Sequence, residues 1–393
     1  MEPLQKTLDS CDKNQNQVLP VLEKWVRQNS YSADIDSVNR CGDLIAEDFN
    51  LKGLSLEKHP GDGVGDHLVF STDAWKTSAP GERLVLVGHH DTVFPPGTFD
   101  VWEQKGDILR GPGVLDMKGG IVSIWSAFKA LSSVGGLSDI PLAFVCVGDE
   151  EIGSPHSHTL LKEIGEGCKA GLVFEAGRKE DAIITRRKGT GGIKVTCHGV
   201  AAHAGNHHKE GKNAIWELSK FIDKVQKLTD YEKGVTCNVG LVRGGEARNT
   251  VPPMAECSID VRFITRKDGD AVVEQIQQLV KDMSKKGFRF ELDGGVKRMP
   301  LEKTAQSEKL YKAYAAAATL EKLGGIEAGL IGGGSDASTV SSLGVPSIDG
   351  LGPRGSGFHT KKEIIEVSSL VMRSRALIRF LMVEHKALLA NDS

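Results

Sequence analysis

RLVLVGHHDTV, residues 83–93, opens as an unbroken apolar run and closes on His89, His90 and Asp91. A short apolar run without polar alternation is what a strand buried on both faces of a parallel sheet shows. Downstream, KGGIVSIWSAFKALSS (118–133) sets Ile121, Ile124, Trp125, Phe128 and Leu131 on one helical stripe. PLAFVCVG (141–148) is a second buried-strand run, TLLKEIG a short helix and GLVFE (171–175) a third strand. Strand, helix, strand, helix, strand predicts a doubly wound α/β sheet. Upstream, 17–28 and 35–50 read as helices, with Leu22, Trp25 and Val26 on one buried face.

A second unit interrupts this pattern. GGIKVTCHG (191–199) reads as a strand and AIWELSKFIDKVQKL (214–228) as a helix with Ile215, Leu218, Ile222, Val225 and Leu228 inward. Strands follow at 235–245 and 254–263, then a helix at 270–283 and a strand at 288–294. The order βαββαβ predicts a ferredoxin-like unit. From about 305 the α/β character returns, with a helix over 309–323, the glycine-rich GLIGGGSDAS and a C-terminal helix over 365–389. The expected division is a large α/β domain over 1–188 and 299–393, with a smaller domain over 189–298 inserted into it.

The chain has 393 residues, with 49 Lys+Arg against 52 Asp+Glu, for a net charge of −3. So balanced a chain offers no global field for nucleic acid. No apolar run approaches the roughly 20 residues that span a bilayer. Seven scattered cysteines without a CxxC pair read as free thiols in a reducing compartment. The first residues hold no apolar core of a secretory signal. A cytoplasmic protein without membrane or nucleic-acid partners is the expectation.

In open parallel sheets, ligands bind beyond the carboxyl ends of the strands. Here the predicted strands end in His89-His90-Asp91, in Asp149-Glu150-Glu151 and in Glu175, and the turn before the 118–133 helix carries Asp116. A late histidine, His359, stands in GSGFHTKK. His, Asp and Glu without cysteine form a nitrogen and oxygen donor set suited to Zn²⁺, Mn²⁺ or Co²⁺. Five such groups exceed one tetrahedral catalytic site and suit two metals sharing a carboxylate.

HHDTV, GPGVLDMKGG, GDEEIGS, VFE, AAHAG, NTVPP, DVRF, GGGSDA and GFHTK occur in that order between residues 80 and 362. In this the chain resembles the di-zinc metallopeptidase family of glutamate carboxypeptidase, aminoacylase, acetylornithine deacetylase and succinyl-diaminopimelate desuccinylase, and most of all its glutamate carboxypeptidase branch. The resemblance implies a catalytic domain carrying two Zn²⁺, with Co²⁺ or Mn²⁺ as substitutes, and an inserted lid and dimerisation domain. It implies that His89, Asp116 and Glu175 hold one ion and Glu151, Asp116 and His359 the other, with Asp116 bridging. Strand alternation favours His89 over His90, because His89 and Asp91 share a side and Asp91 can orient the imidazole. Glu150 becomes the general base, taking a proton from a water between the metals and passing it to the leaving amine. By the same resemblance His203 stabilises the oxyanion, often across a dimer interface, Arg262 and Asn249 clamp the substrate carboxylate, and the run containing Gly333 lines the cleft. The Asp-x-Lys-Gly-Gly pattern implies a cis peptide between Asp116 and Met117.

These roles imply a homodimeric metallocarboxypeptidase that cleaves the amide beside a free carboxylate and releases a C-terminal residue, glutamate among the candidates, from a small peptide or N-acyl amino acid. An N-acyl-amino-acid deacylase of the acetylornithine or desuccinylase type would use the same metals and differ in pocket shape. A non-catalytic binding module on the same fold would be expected to lack a ligand or the base, and here every one is present. Arg186, Arg187 and Lys188 read as a solvated basic face.

Overall fold

The Leu84–His89 strand lies inside a six-stranded sheet whose order is Leu54–His59, His67–Thr72, Leu142–Val147, Leu84–His89, Ala170–Val173 and Ser347–Ile348. The last four run parallel, in register Leu86 to Phe144 and Leu86 to Leu172. Every residue of Leu84–His89 and Leu142–Val147 is buried, as their continuous apolar sequence requires. The first two strands form an antiparallel hairpin added to one edge. The structure, a computed structural model, describes residues 2–284 and 287–384.

Helices Glu2–Arg27, Lys118–Ser133 and Val367–Arg379 contribute Leu8, Leu22, Trp25, Ile121, Phe128 and Leu377 to one core with Leu86 and Phe144 of the sheet. The expected helix at 17–28 is the end of a much longer one. The expected C-terminal helix extends beyond Glu384, and 385–389 lie outside the described residues. A small antiparallel sheet joins Glu103–Lys105 and Ile108–Arg110 to Ile364–Glu366 and Gly355–Ser356.

The chain divides into two units. One comprises 2–186, 303–330 and 335–384, and the other 187–302 and 331–334. The second has a four-stranded antiparallel sheet in the order Thr236–Gly244, Met254–Phe263, Gly189–His198 and Arg289–Arg298. With helices Ala214–Gln226 and Arg266–Met283, this is the ferredoxin-like βαββαβ order. Burial alternates along Gly189–His198 and Met254–Phe263, so one sheet face is sealed by Phe221, Val225, Val272 and Ile276 from the two helices.

Two expectations are corrected here. Ile215 does not point inward: it is 43% exposed, because it lies just inside the N-terminus of its helix, beside Trp216, which is also exposed. Arg187 is buried rather than solvated; its guanidinium donates to the carbonyls of Gly333 and Gly334, a contact within the second unit that fixes the glycine run.

Candidate metal centre

His89 is the last residue of its strand, and the turn that follows brings Asp91 back beneath it. His89 Nδ1 lies 3.1 Å from the Asp91 carbonyl and 3.4 Å from its carboxylate. That carboxylate does more than orient the imidazole. It accepts the backbone N–H of Glu150 at 3.1 Å and of Glu151 at 3.2 Å, and the Ser32 hydroxyl at 2.7 Å. One buried acid thus ties the ends of two parallel strands together. Asp149 serves its own turn, accepting the N–H groups of His156 and Ser157.

Asp116 is placed by the tight turn preceding the Lys118–Ser133 helix, and the Asp116–Met117 peptide is cis. Its two carboxylate oxygens face different histidines. Oδ1 stands 3.2 Å from His89 Nε2, and Oδ2 stands 3.2 Å from His359 Nε2. Glu175 lies 3.7 Å from His89 Nε2, and Glu151 lies 3.0 Å from His359 Nε2. Donor atoms of His89, Asp116 and Glu151 fall within 4.8 Å of one another, as do those of His89, Glu150 and Glu175. Imidazole nitrogens and carboxylate oxygens at this spacing fit a divalent metal of the zinc, cobalt or manganese kind.

So many acids in little water shift one another. Burial opposes charge on His89, but hydrogen bonding to Asp116 and Asp91 and the charge of Glu175 hold it well above the ordinary imidazole value. The carboxylates of Asp116 and Glu151 push His359 up to about 10. Burial, then the charge of Asp116, drives Glu175 well above the usual carboxylate range, and burial also raises Glu151. Burial would raise Asp116 too, yet His359 and His89 hold it far down. His90, fully buried beside Cys146, is pushed by burial to about 3 and stays a neutral packing residue.

The remaining candidates lie in the second unit. His203 Nδ1 accepts the N–H groups of Gly205 and Asn206, which leaves the ring proton on Nε2. His203 pairs with Thr250 in a two-residue ladder, and Asn249 accepts the N–H of Ala204, so His203 and Asn249 are neighbours. Arg262 is elsewhere. Asp260 takes its Nε and Nη2 at 2.9 and 3.0 Å, and Nη1 donates to the Gly332 carbonyl at 3.3 Å. Gly333 is engaged through its carbonyl by Arg187. Asn249 precedes the strand that Met254 opens, whereas Arg262 is the last residue but one of that strand, eight residue steps beyond Met254, about 26 Å at ~3.3 Å per residue. One chain therefore does not bring Asn249 and Arg262 together.

Sequence reasoning passed over Ser32 and Glu363. Ser32 gives no signal beyond a serine before a helix. Glu363 follows two lysines in a stretch that reads as solvated.

Residues 185–287 match a family model described as the peptidase dimerisation domain of the M20 group. Carboxypeptidase G2 of a Pseudomonas species is 28% identical over 376 residues, 93% of this chain and 88% of that protein. Among solved structures, aminopeptidase PepT of Bacillus cereus has a TM-score of 0.77 at 22% identity, covering 95% of this chain and 99% of its own. The M20 family metallo-carboxypeptidase Sso-CP2 of Sulfolobus solfataricus has a TM-score of 0.70 at 19% identity, covering 94% and 99%. With carboxypeptidase G2 matched over 93% of the chain and the inserted unit matched by the M20 dimerisation-domain model, the chain is a metallopeptidase similar to those of the M20 family.

Proposed function

We propose that this metallopeptidase is a di-zinc carboxypeptidase that hydrolyses the amide preceding a free C-terminal carboxylate, with an acidic residue such as glutamate released. The observation that carries the reading is Asp116, whose two oxygens each face one histidine at 3.2 Å, the disposition of a carboxylate shared by two ions. His89, Asp116 and Glu175 would hold one ion, and Glu151, Asp116 and His359 the other. When bound, the ions lower the pKa of water and polarise the amide carbonyl. Glu150 takes the proton from the attacking water and delivers it to the leaving nitrogen. Asp91 holds His89 in orientation and fixes the Glu150 backbone.

His203 offers its Nε2–H to the developing oxyanion, with Asn249 beside it, while Arg262, its guanidinium held by Asp260 and the Gly332 carbonyl, offers its remaining N–H groups to the substrate carboxylate. The separation of Asn249 from Arg262 within one chain supports a homodimer in which His203 and Asn249 serve the partner's site. Thr236–Gly244 supports it too: it is an edge strand with Leu241 and Val242 exposed, and its last residue, Gly244, lies against exposed Ile215.

A hydrolysis panel with purified, zinc-loaded protein tests the reading. Dipeptides and N-acyl-glutamates, N-acetylornithine and succinyl-diaminopimelate are offered side by side. Cleavage of substrates with a C-terminal glutamate ahead of the others is expected. Preference for N-acetylornithine or succinyl-diaminopimelate would replace the carboxypeptidase with a deacylase.

A further inference from the structure

Two of the proposed ligands reach the centre on segments far apart in sequence. Asp116 sits in the turn after strand Ile108–Arg110, and His359 in the loop before strand Ile364–Glu366. The two strands pair, Ile364 with Arg110 and Ile365 with Leu109, which sets turn and loop side by side. Between them lies Glu363, fully buried. Its Oε1 accepts the N–H of Leu115 at 2.8 Å and of Asp116 at 3.0 Å, and its Oε2 accepts the N–H of Gly113 at 3.1 Å. Three backbone donors from the single turn that delivers Asp116 therefore end on a carboxylate four residues from His359.

Satisfying buried N–H groups is required of any fold, but a local carbonyl would do that equally well. A carboxylate carried by the other ligand-bearing segment does something more: it fixes the distance between the two. The His359 loop needs such an anchor. His359 has a left-handed backbone, φ 59°, and is 49% exposed on its side chain, so little packing holds it. The loop is also tied by Arg110, which donates to the Lys361 carbonyl at 3.0 and 2.7 Å, and by Arg178, which lies over the Phe358 ring.

From this geometry we infer that Glu363 is a positioning residue of the metal centre, docking the His359 loop on the Asp116 turn so that His359 Nε2 stands 3.2 Å from Asp116 and 3.0 Å from Glu151. The inference rests on the reading of Asp116 and His359 as ligands. Glu363 acts through them: its two oxygens are taken up by the turn.

The test replaces Glu363→Gln in the full chain. The amide keeps the volume but turns a donor toward one or more of the three N–H groups. Zinc affinity is read by chelator competition, coordination by the visible spectrum of the cobalt-loaded protein, and folding by circular dichroism without metal. At least one ion should be held about 10–100-fold more weakly, the usual cost of losing a partner that orients a ligand. The cobalt spectrum should shift, and excess zinc should restore hydrolysis. A folded variant with wild-type zinc affinity and an unchanged cobalt spectrum overturns the inference.

Should the glutamine variant fail to fold, Glu363→Asp is read by the same measurements. Hydrogen exchange on the unaltered chain gives an independent answer. Amides of 113–116 and of 357–363 should gain protection together as zinc is added, and protection of one segment alone also overturns the inference. If the unaltered chain takes up no metal at all, it is the metal reading of the site that fails, which the same titration distinguishes.

Discussion

Glu150 and Glu151 are adjacent, yet their carboxylates face different partners: Glu151 meets His359, whereas Glu150 groups with His89 and Glu175. Both backbone N–H groups end on Asp91, so the split is built by one acid. Glu150→Gln keeps the shape and removes the base. Its kcat should fall by roughly 10²–10⁴-fold with zinc content unchanged by elemental analysis; loss of metal along with activity would make Glu150 a ligand. The histidines carry a second prediction. His89 and His359 are both raised, His359 to about 10, so at neutral pH His359 holds a proton where a metal would bind, and the same surroundings favour a proton on His89. Zinc must displace those protons, and lowering the pH strengthens the competitor, so affinity should rise with pH across the neutral range. Calorimetry of zinc binding at pH 7, in two buffers of different ionisation enthalpy, should show proton release; binding heats that do not depend on the buffer would contradict it.

Lys118 and the two glycines after it show why the helix below the centre begins as it does. Lys118 is buried and donates to the carbonyls of Trp25 and Gln28, at the end of the first helix. Gly120 lies so close to the chain just after the Ala170–Val173 strand that a Cβ there would sit 2.1 Å from the Phe174 carbonyl oxygen. Gly120→Ala should therefore destabilise the protein by about 1–3 kcal/mol, as overpacking does. Thermal unfolding checks this, and an unchanged midpoint would mean that the backbone yields. Elements with a continuous or strongly periodic apolar pattern were legible in sequence, among them 84–89, 142–147, 118–133 and 254–263. The Leu54–His59 and His67–Thr72 hairpin was not, since its outer strand, LSLEKH, is half polar and faces solvent on an edge. Strands of two or three residues in the small sheet carry no period at all. The first helix hid its opening turns because Leu8, Cys11 and Val18 are spread through a polar stretch. At the metal centre the charged donors stood out at strand ends, but Glu363 could be recognised only once the two strands it bridges were seen to pair.

Assembly decides whether the two units of a single chain suffice for activity. If His203 serves a partner, a mixture of two dead variants should regain function. Glu150→Gln chains lack the base and His203→Ala chains lack the imidazole, but in a mixed dimer one site has both. About half of randomly paired dimers are mixed, each with one good site of two, so recovery should approach a quarter of the wild-type rate. If His203 serves its own chain, the mixture stays inactive after the subunits have exchanged. The interrupted order of the larger unit has a consequence for biosynthesis. His89, Asp116, Glu151 and Glu175 all precede the inserted unit, whereas His359 follows it. At ~5–20 residues per second, translation separates Glu175 from His359 by roughly ten seconds or more. A nascent chain therefore exposes most of the acidic donors while the ribosome is still making the inserted unit, and the last histidine arrives only after that unit can fold.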